Sequence, residues 1–200
     1  RESSMELSVV GTGYVGLVAG TCFSEIGNKV SCIDINKEKI DSLNNGHVPI
    51  FEPGLKELVE KNRMEERLKF SSDYSPVGRS KIVFLAVGTP PQSNGKANLE
   101  YLFQAAKDVG ENLRDDTVVV IKSTVPVGTH RKVQEVISSV TTKRFAVVNN
   151  PEFLREGSAV KDFMEPDRVV VGYSDSFVKD ILKELFSPLV SGSQYLEMSN

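Results

Sequence analysis

The chain has 200 residues, 40% hydrophobic and 26% charged, a composition that fits a packed globular protein and excludes a disordered one. A net charge of −3, with no Lys/Arg stripe, argues against nucleic acid as a partner. No apolar run approaches the roughly 18 residues that span a bilayer, and no basic-then-apolar leader is visible, so a cytoplasmic protein with no membrane partner is expected.

Arg1-Glu2-Ser3-Ser4, ahead of Met5, reads as an expression scar outside the fold. Leu7 to Val10 is a short apolar strand, followed by a glycine-rich turn and an apolar helix from Tyr14 to Ile26 that Gly27 stops. Lys29 to Ile33 is the second strand, ending at Asp34. Asn36 caps a helix through Leu43, and Asn44-Asn45-Gly46 breaks it. A loop from His47 to Gly54 leads to a helix over Leu55 to Asn62 and a short strand over Leu68 to Ser71.

Lys81 to Val87 is a continuous apolar run, the pattern of a parallel strand covered on both faces. After the loop Gly88 to Ala97, Asn98 caps a helix through Leu113. Thr117 to Ile121 is the next buried strand, and a helix follows Pro126-Val127-Gly128. Phe145 to Val148 is a strand, Asn149 to Gly157 a loop, Arg168 to Val171 a strand, Ser176 to Phe186 a helix and Tyr195 to Met198 a last strand. Strands alternating with crossover helices predict a doubly wound, mostly parallel α/β sheet with extra C-terminal strands and no visible second domain. Cys22 and Cys32, in a helix and a strand with apolar neighbours, are expected to be buried free thiols rather than nucleophiles or a disulfide.

Gly11-Thr12-Gly13-Tyr14-Val15-Gly16 follows a strand, opens a helix and is trailed by Asp34 at the end of the next strand. In that context Gly11 allows a tight turn, Gly13 lets backbone approach a pyrophosphate, and Gly16 lets the helix pack on the strand. The pyrophosphate then lies at the positive end of the helix. A carboxylate at position 34 accepts hydrogen bonds from ribose hydroxyls and repels a 2′-phosphate, so NAD is the expected cofactor. Lys37 and Lys39 leave NADP open, and Lys39 is either a ribose contact or a solvated helix lysine. No metal is expected.

Three further loops follow strand ends, where ligands of open α/β sheets bind. In Val87-Gly88-Thr89-Pro90-Pro91, Thr89 faces the second half of the cofactor. In Lys122-Ser123-Thr124-Val125-Pro126-Val127-Gly128, Thr124 offers a hydroxyl. In Asn149 to Gly157, Glu152 and Glu156 are four positions apart, so a helical turn would place both on one face. Exposed acids at a helix start are the plainer reading of that pair.

GTGYVGLVAG, Pro49-Ile50-Phe51-Glu52-Pro53-Gly54-Leu55, VGTPP, KSTVPVGT and NPEFLREG resemble, in order, the UDP-glucose/GDP-mannose dehydrogenase family. The stretch Ser158 to Gly172 is most similar to the UDP-glucose branch. The resemblance implies oxidation of UDP-glucose at C6 to UDP-glucuronate by two hydride transfers to NAD, through a cysteine thioester that water hydrolyses. It implies that Val15, Asp34, Lys39, Thr89, Thr124 and Glu156 contact NAD, with Tyr14 and the three motif glycines beside them. Glu152, Phe153, Leu154, Arg155 and Glu156 are implied to line the sugar-nucleotide site. Thr124, Glu152 and Glu156 are the implied catalytic residues, with Thr124 and Glu152 near the water.

The family's cysteine nucleophile, active-site lysine and asparagine lie after a long central helix, and no matching motif for them occurs here. Residues 5–200 are therefore expected to be an NAD-binding domain without the central helix and the UDP-binding domain. UDP-glucose should bind it weakly and not turn over, and the parent protein is expected to be a homo-oligomer. The alternatives are a dehydrogenase of a related sugar nucleotide, a hydroxyacid- or 6-phosphogluconate-type dehydrogenase, and a non-catalytic NAD(H)-binding module. The length of the source reading frame distinguishes the enzyme from the module.

Overall fold

The computed structural model describes residues 4–190 and 194–199; most of the expected scar lies outside them. The strands are β1 (Glu6–Val10), β2 (Lys29–Ile33), β3 (Leu68–Ser71), β4 (Ile82–Leu85), β5 (Thr117–Ile121), β6 (Phe145–Asn149), β7 (Val169–Gly172) and β8 (Tyr195–Met198). The helices are α1 (Tyr14–Glu25), α2 (Lys37–Asn44), α3 (Leu55–Met64), α4 (Glu100–Asn112), α5 (Thr129–Ser138), α6 (Ala159–Met164) and α7 (Lys179–Phe186). One sheet runs in the order β3-β2-β1-β4-β5-β6-β7-β8. Its first six strands are parallel, in the doubly wound dinucleotide-binding order, and that order reverses between β1 and β4. β7 joins β6 antiparallel, and β8 is parallel to β7.

Alternation within the apolar runs builds two cores from one sheet, because successive side chains of a strand point to opposite faces. Leu7 and Val9, Phe84, and Val118 and Val120 face the layer of α1, α3, α6 and α7. Val10, Val83 and Leu85, and Val119 and Ile121 face α4 and α5. Phe23 of α1 centres the first layer, stacked on Phe84 at 4.8 Å and edge-on to Phe163 at 4.9 Å.

Element types match the sequence reading in most places, and three differences have physical causes. The run expected as a strand over Lys81 to Val87 forms a strand over Ile82–Leu85, and the Ala86 N–H, bonded to the Val10 carbonyl at 2.8 Å, makes the last contact with β1 before the loop. The helix expected to be capped by Asn98 starts one residue later, at Glu100: the Asn98 side chain accepts from the Glu100 N–H, and Leu99 precedes the first turn. The segment 150–158 has no helical turn, so Glu152 and Glu156 do not share a helix face. Pro151 disfavours α geometry at Asn150, and the helix forms later, as the unanticipated α6. A 3-10 turn over Ser75–Arg79 was likewise not legible.

Both cysteines are buried and free. Burial pushes each thiol up to about 12, with Glu25 and Glu152 adding to the effect at Cys22. Iodoacetamide at about pH 8 is therefore expected to leave the folded chain unmodified and to label both cysteines only after unfolding. Rapid labelling of the native protein, read by intact mass, would contradict their assignment as core residues. Among the described residues, no helix is long and apolar enough to cross a membrane.

Candidate active site at the strand C-termini

The turn after β1 is shaped by what its glycines permit. Gly11 has φ +104°, and a Cβ there would lie 2.7 Å from the Ala86 carbonyl oxygen. A Cβ at Gly16 would overlap the carbonyl oxygen of Gly11, which is backbone and cannot give way. Gly16 thus lets α1 approach the ends of β1 and β4, and Gly20, one turn later, does the same over β2, where a Cβ would meet the Cys32 sulfur at 2.5 Å. Gly13 precedes α1, and a Cβ there would have no neighbour within 4 Å. It borders the crevice directly, which leaves room for a ligand to reach the N–H groups of the first turn.

This crevice has a volume of about 400 Å³ and opens where the strand order reverses. Asp34 lies on its far wall, and its carboxylate accepts from the Thr12 N–H at 3.0 Å, the Thr12 hydroxyl at 2.6 Å and the Asn36 N–H at 3.0 Å. Burial opposes ionisation there, but the Thr12 hydroxyl, those two N–H groups and Lys39 together hold the carboxyl below its usual range. Lys39 Nζ is 4.0 Å from Asp34, so this lysine belongs to the crevice rather than to open solvent. Thr12 was not singled out from sequence, since its position is unrestricted in the glycine pattern. Val15 packs partly buried on the core beside Tyr14.

The loops after β4 and β5 are joined. Thr89 donates its hydroxyl to the Thr124 carbonyl at 3.0 Å, and Ser123 donates its own to the Val87 carbonyl at 2.6 Å. The Thr124 side chain is left on the exposed edge.

A second crevice of about 710 Å³ is lined by Glu152, Phe153, Leu154 and Arg155 on one side, and by α6 and the start of β7 on the other. Glu152 forms an ion pair with Lys122, whose side chain is 4% exposed against 11% for Glu152. Lys122 Nζ also lies 5.7 Å from the Phe163 ring centroid. Sequence reading gave Lys122 no role, yet it is the residue that pairs with Glu152. Phe153 is exposed beneath Arg168, Leu154 packs against the core, and Glu156 is exposed. Arg155 grips Asp162 through its backbone N–H at 2.8 Å and its guanidinium at 2.8 and 3.1 Å, which holds Asp162 well below the usual carboxylate range.

One residue of the Pro49 to Leu55 segment reaches this wall. Glu52 is buried and accepts from the Tyr14 hydroxyl at 2.9 Å, the Gly157 N–H at 2.9 Å and the Ala159 N–H at 3.2 Å. The Gly157 N–H, against the cost of burial and with help from Tyr14 and Ala159, holds the Glu52 carboxyl below its usual range. Burial, and then the bond to Glu52, pushes the Tyr14 phenol up to about 12, so it stays a donor.

Comparison with known proteins agrees with this geometry. The model of the UDP-glucose/GDP-mannose dehydrogenase family, NAD binding domain, matches residues 5–190. A UDP-glucose 6-dehydrogenase of Bacillus subtilis is 51% identical over 186 residues, covering 92% of this chain and 40% of that protein. One from Rhizobium meliloti is 46% identical, over 92% and 44%. The chain thus spans about two fifths of the length of these curated relatives. Among solved structures, a UDP-glucose dehydrogenase from Pyrobaculum islandicum superposes with a TM-score of 0.93 at 37% identity, over 99% of this chain and 47% of that one. A GDP-mannose dehydrogenase from Pseudomonas aeruginosa gives 0.92 at 35%, over 98% and 46%. A glycerol-3-phosphate dehydrogenase from Coxiella burnetii, at 15% identity and a TM-score of 0.63, shares the fold alone. With its glycine loop, acidic strand end and doubly wound sheet, the chain belongs to the UDP-glucose/GDP-mannose dehydrogenase family and is its NAD-binding domain.

Proposed function

We propose that this chain is the cofactor half of an enzyme that oxidises UDP-glucose to UDP-glucuronate, with a central helix and a UDP-binding domain in the rest of the parent protein. The observation that carries the reading is the pairing of Gly13 and Asp34 across one crevice: an open approach to helix N–H groups faces a carboxylate held ionised. These residues fit NAD, which when bound accepts hydride. Gly11, Gly13 and Gly16 shape the pyrophosphate cradle, while Asp34 and Lys39 face the ribose. Tyr14, Val15, Thr89, Thr124 and Glu156 border the remainder. Glu152, Phe153, Leu154 and Arg155 form one wall of the sugar-nucleotide site, and the chain's 51% and 46% identity to UDP-glucose 6-dehydrogenases supports UDP-glucose over other sugar nucleotides. Thr124, Glu152 and Glu156 serve the chemistry, with Glu152 and Thr124 placing water for the hydrolytic half. A cytoplasmic, homo-oligomeric parent enzyme completes the reading.

Titration calorimetry with NAD and NADP tests it. The chain is expected to favour NAD, because charge-assisted bonds to the ribose contribute about 1.5–3 kcal/mol, or roughly ten- to a hundredfold in affinity. Asp34→Asn should weaken NAD by about that factor and reduce the preference. Equal affinities for the two cofactors in the parent chain would refute the assignment.

A further inference from the structure

The segment Pro49 to Leu55 borders neither crevice, yet it delivers a buried carboxylate to a junction between them. Burying a carboxylate is costly unless its oxygens are fully hydrogen-bonded. Glu52 meets that condition with donors from two separate parts of the chain. Tyr14 belongs to the first turn of α1, which opens the cofactor crevice. Gly157 and Ala159 lie where the loop bearing Glu152 and Glu156 turns into α6. Ser158, the residue before α6, does not cap it: its hydroxyl is turned to Asp162, 3.1 Å away. Glu52 instead takes the N–H of Ala159, the first residue of α6, and that of Gly157 before it, from more than a hundred residues away in sequence. The same Tyr14 proton is also within reach of the Arg155 carbonyl, 3.1 Å away, so it is shared between Glu52 and that carbonyl.

We infer that Glu52 is a positioning residue that clamps the loop of the sugar-nucleotide wall to the first turn of the cofactor helix. The inference rests on the proposed reading of that loop as the substrate wall. Glu52 touches neither crevice and acts through the backbone of residues 155–159. Its clamp sets the wall in place before a sugar nucleotide arrives, which removes part of the ordering cost of binding. Glutamine at this position keeps the shape but cannot serve all three donors, because its amide group must face at least one N–H or the phenol.

Amide exchange of the 15N-labelled chain, followed by NMR, tests the clamp. In Glu52→Gln, whichever of the Gly157 and Ala159 amides faces the new NH2 is expected to exchange about tenfold faster or more, while those of β1, β4 and β5 keep their protection. NAD affinity should stay within about twofold, and UDP-glucose binding should weaken by about tenfold. Unchanged exchange at both amides, or an equal rise across the sheet, would overturn the inference. If the glutamine variant does not fold, Glu52→Asp decides, since it keeps the charge but is one methylene too short to reach both Tyr14 and the backbone of Gly157 and Ala159. Faster exchange confined to residues 152–159 then supports the clamp, and none refutes it. Failure of the parent chain to bind UDP-glucose counts against the substrate reading alone, because the exchange measurement needs no ligand.

Discussion

Lys122→Met is expected to lower the stability of the chain by about 3 kcal/mol, at the lower end of what breaking a buried ion pair costs. Methionine preserves the apolar length of the side chain, so the loss comes from the charge and not from a cavity. Glu152, 11% exposed and set beside the Lys122–Phe163 contact, is left as a carboxylate without its cation. The cost stays moderate because Glu152 lines the larger crevice and can take up water there. For a chain of this length each kcal/mol moves the melting temperature by about 2–4 °C, so a fall of about 6–12 °C is expected. Lys122→Met/Glu152→Gln should recover most of that fall, since the charge is removed together with its partner. Thermal melts of both variants check the pair: a single variant that melts within about 1 °C of the parent would mean that the pair contributes little to the fold.

The second large effect separates fold from ligand within one motif. Gly13→Ala adds a methyl group that meets no protein atom within 4 Å, and the backbone there has φ −74°, which any L-residue adopts. Stability should therefore change by less than about 0.5 kcal/mol. The methyl group nevertheless stands in the crevice at the approach to the α1 N–H groups, so NAD affinity should fall about a hundredfold, the equivalent of one or two charge-assisted hydrogen bonds. Gly16→Ala is the converse. Its methyl group would overlap the Gly11 carbonyl, which is backbone and cannot swing aside, so α1 must shift off the turn. A loss of about 3 kcal/mol or more is expected, with NAD binding lost as a consequence. Calorimetry should thus show NAD binding impaired in both variants, while chemical denaturation separates them, with only Gly16→Ala destabilised. A Gly13→Ala protein that binds NAD as the parent does would remove the pyrophosphate from this turn.

Local and periodic information carried the fold. The all-apolar runs of β4 and β5 could be read as doubly covered strands because both faces of a parallel sheet exclude water. The Asn36 cap and the Gly27 stop act over a few residues, and each stands where the pattern placed it. The cofactor crevice was legible for the same reason: its glycines and Asp34 lie within 24 residues of one another, on elements whose order the pattern dictates. What only the tertiary structure decided are contacts between segments far apart in sequence. The spacing of Glu152 and Glu156 suggested a shared helix face, but the segment forms no helix, with Glu152 half-buried on Lys122 and Glu156 exposed at a turn. Glu52 appeared only as a letter in a resembling motif, because its donors come from Tyr14 and from residues 105 and 107 positions later. Lys122 reads as a strand-end lysine until folding withdraws it from water and leaves Glu152 as its counter-charge. Desolvation decides such partnerships, and it exists only once the sheet and its helices have closed around the charge.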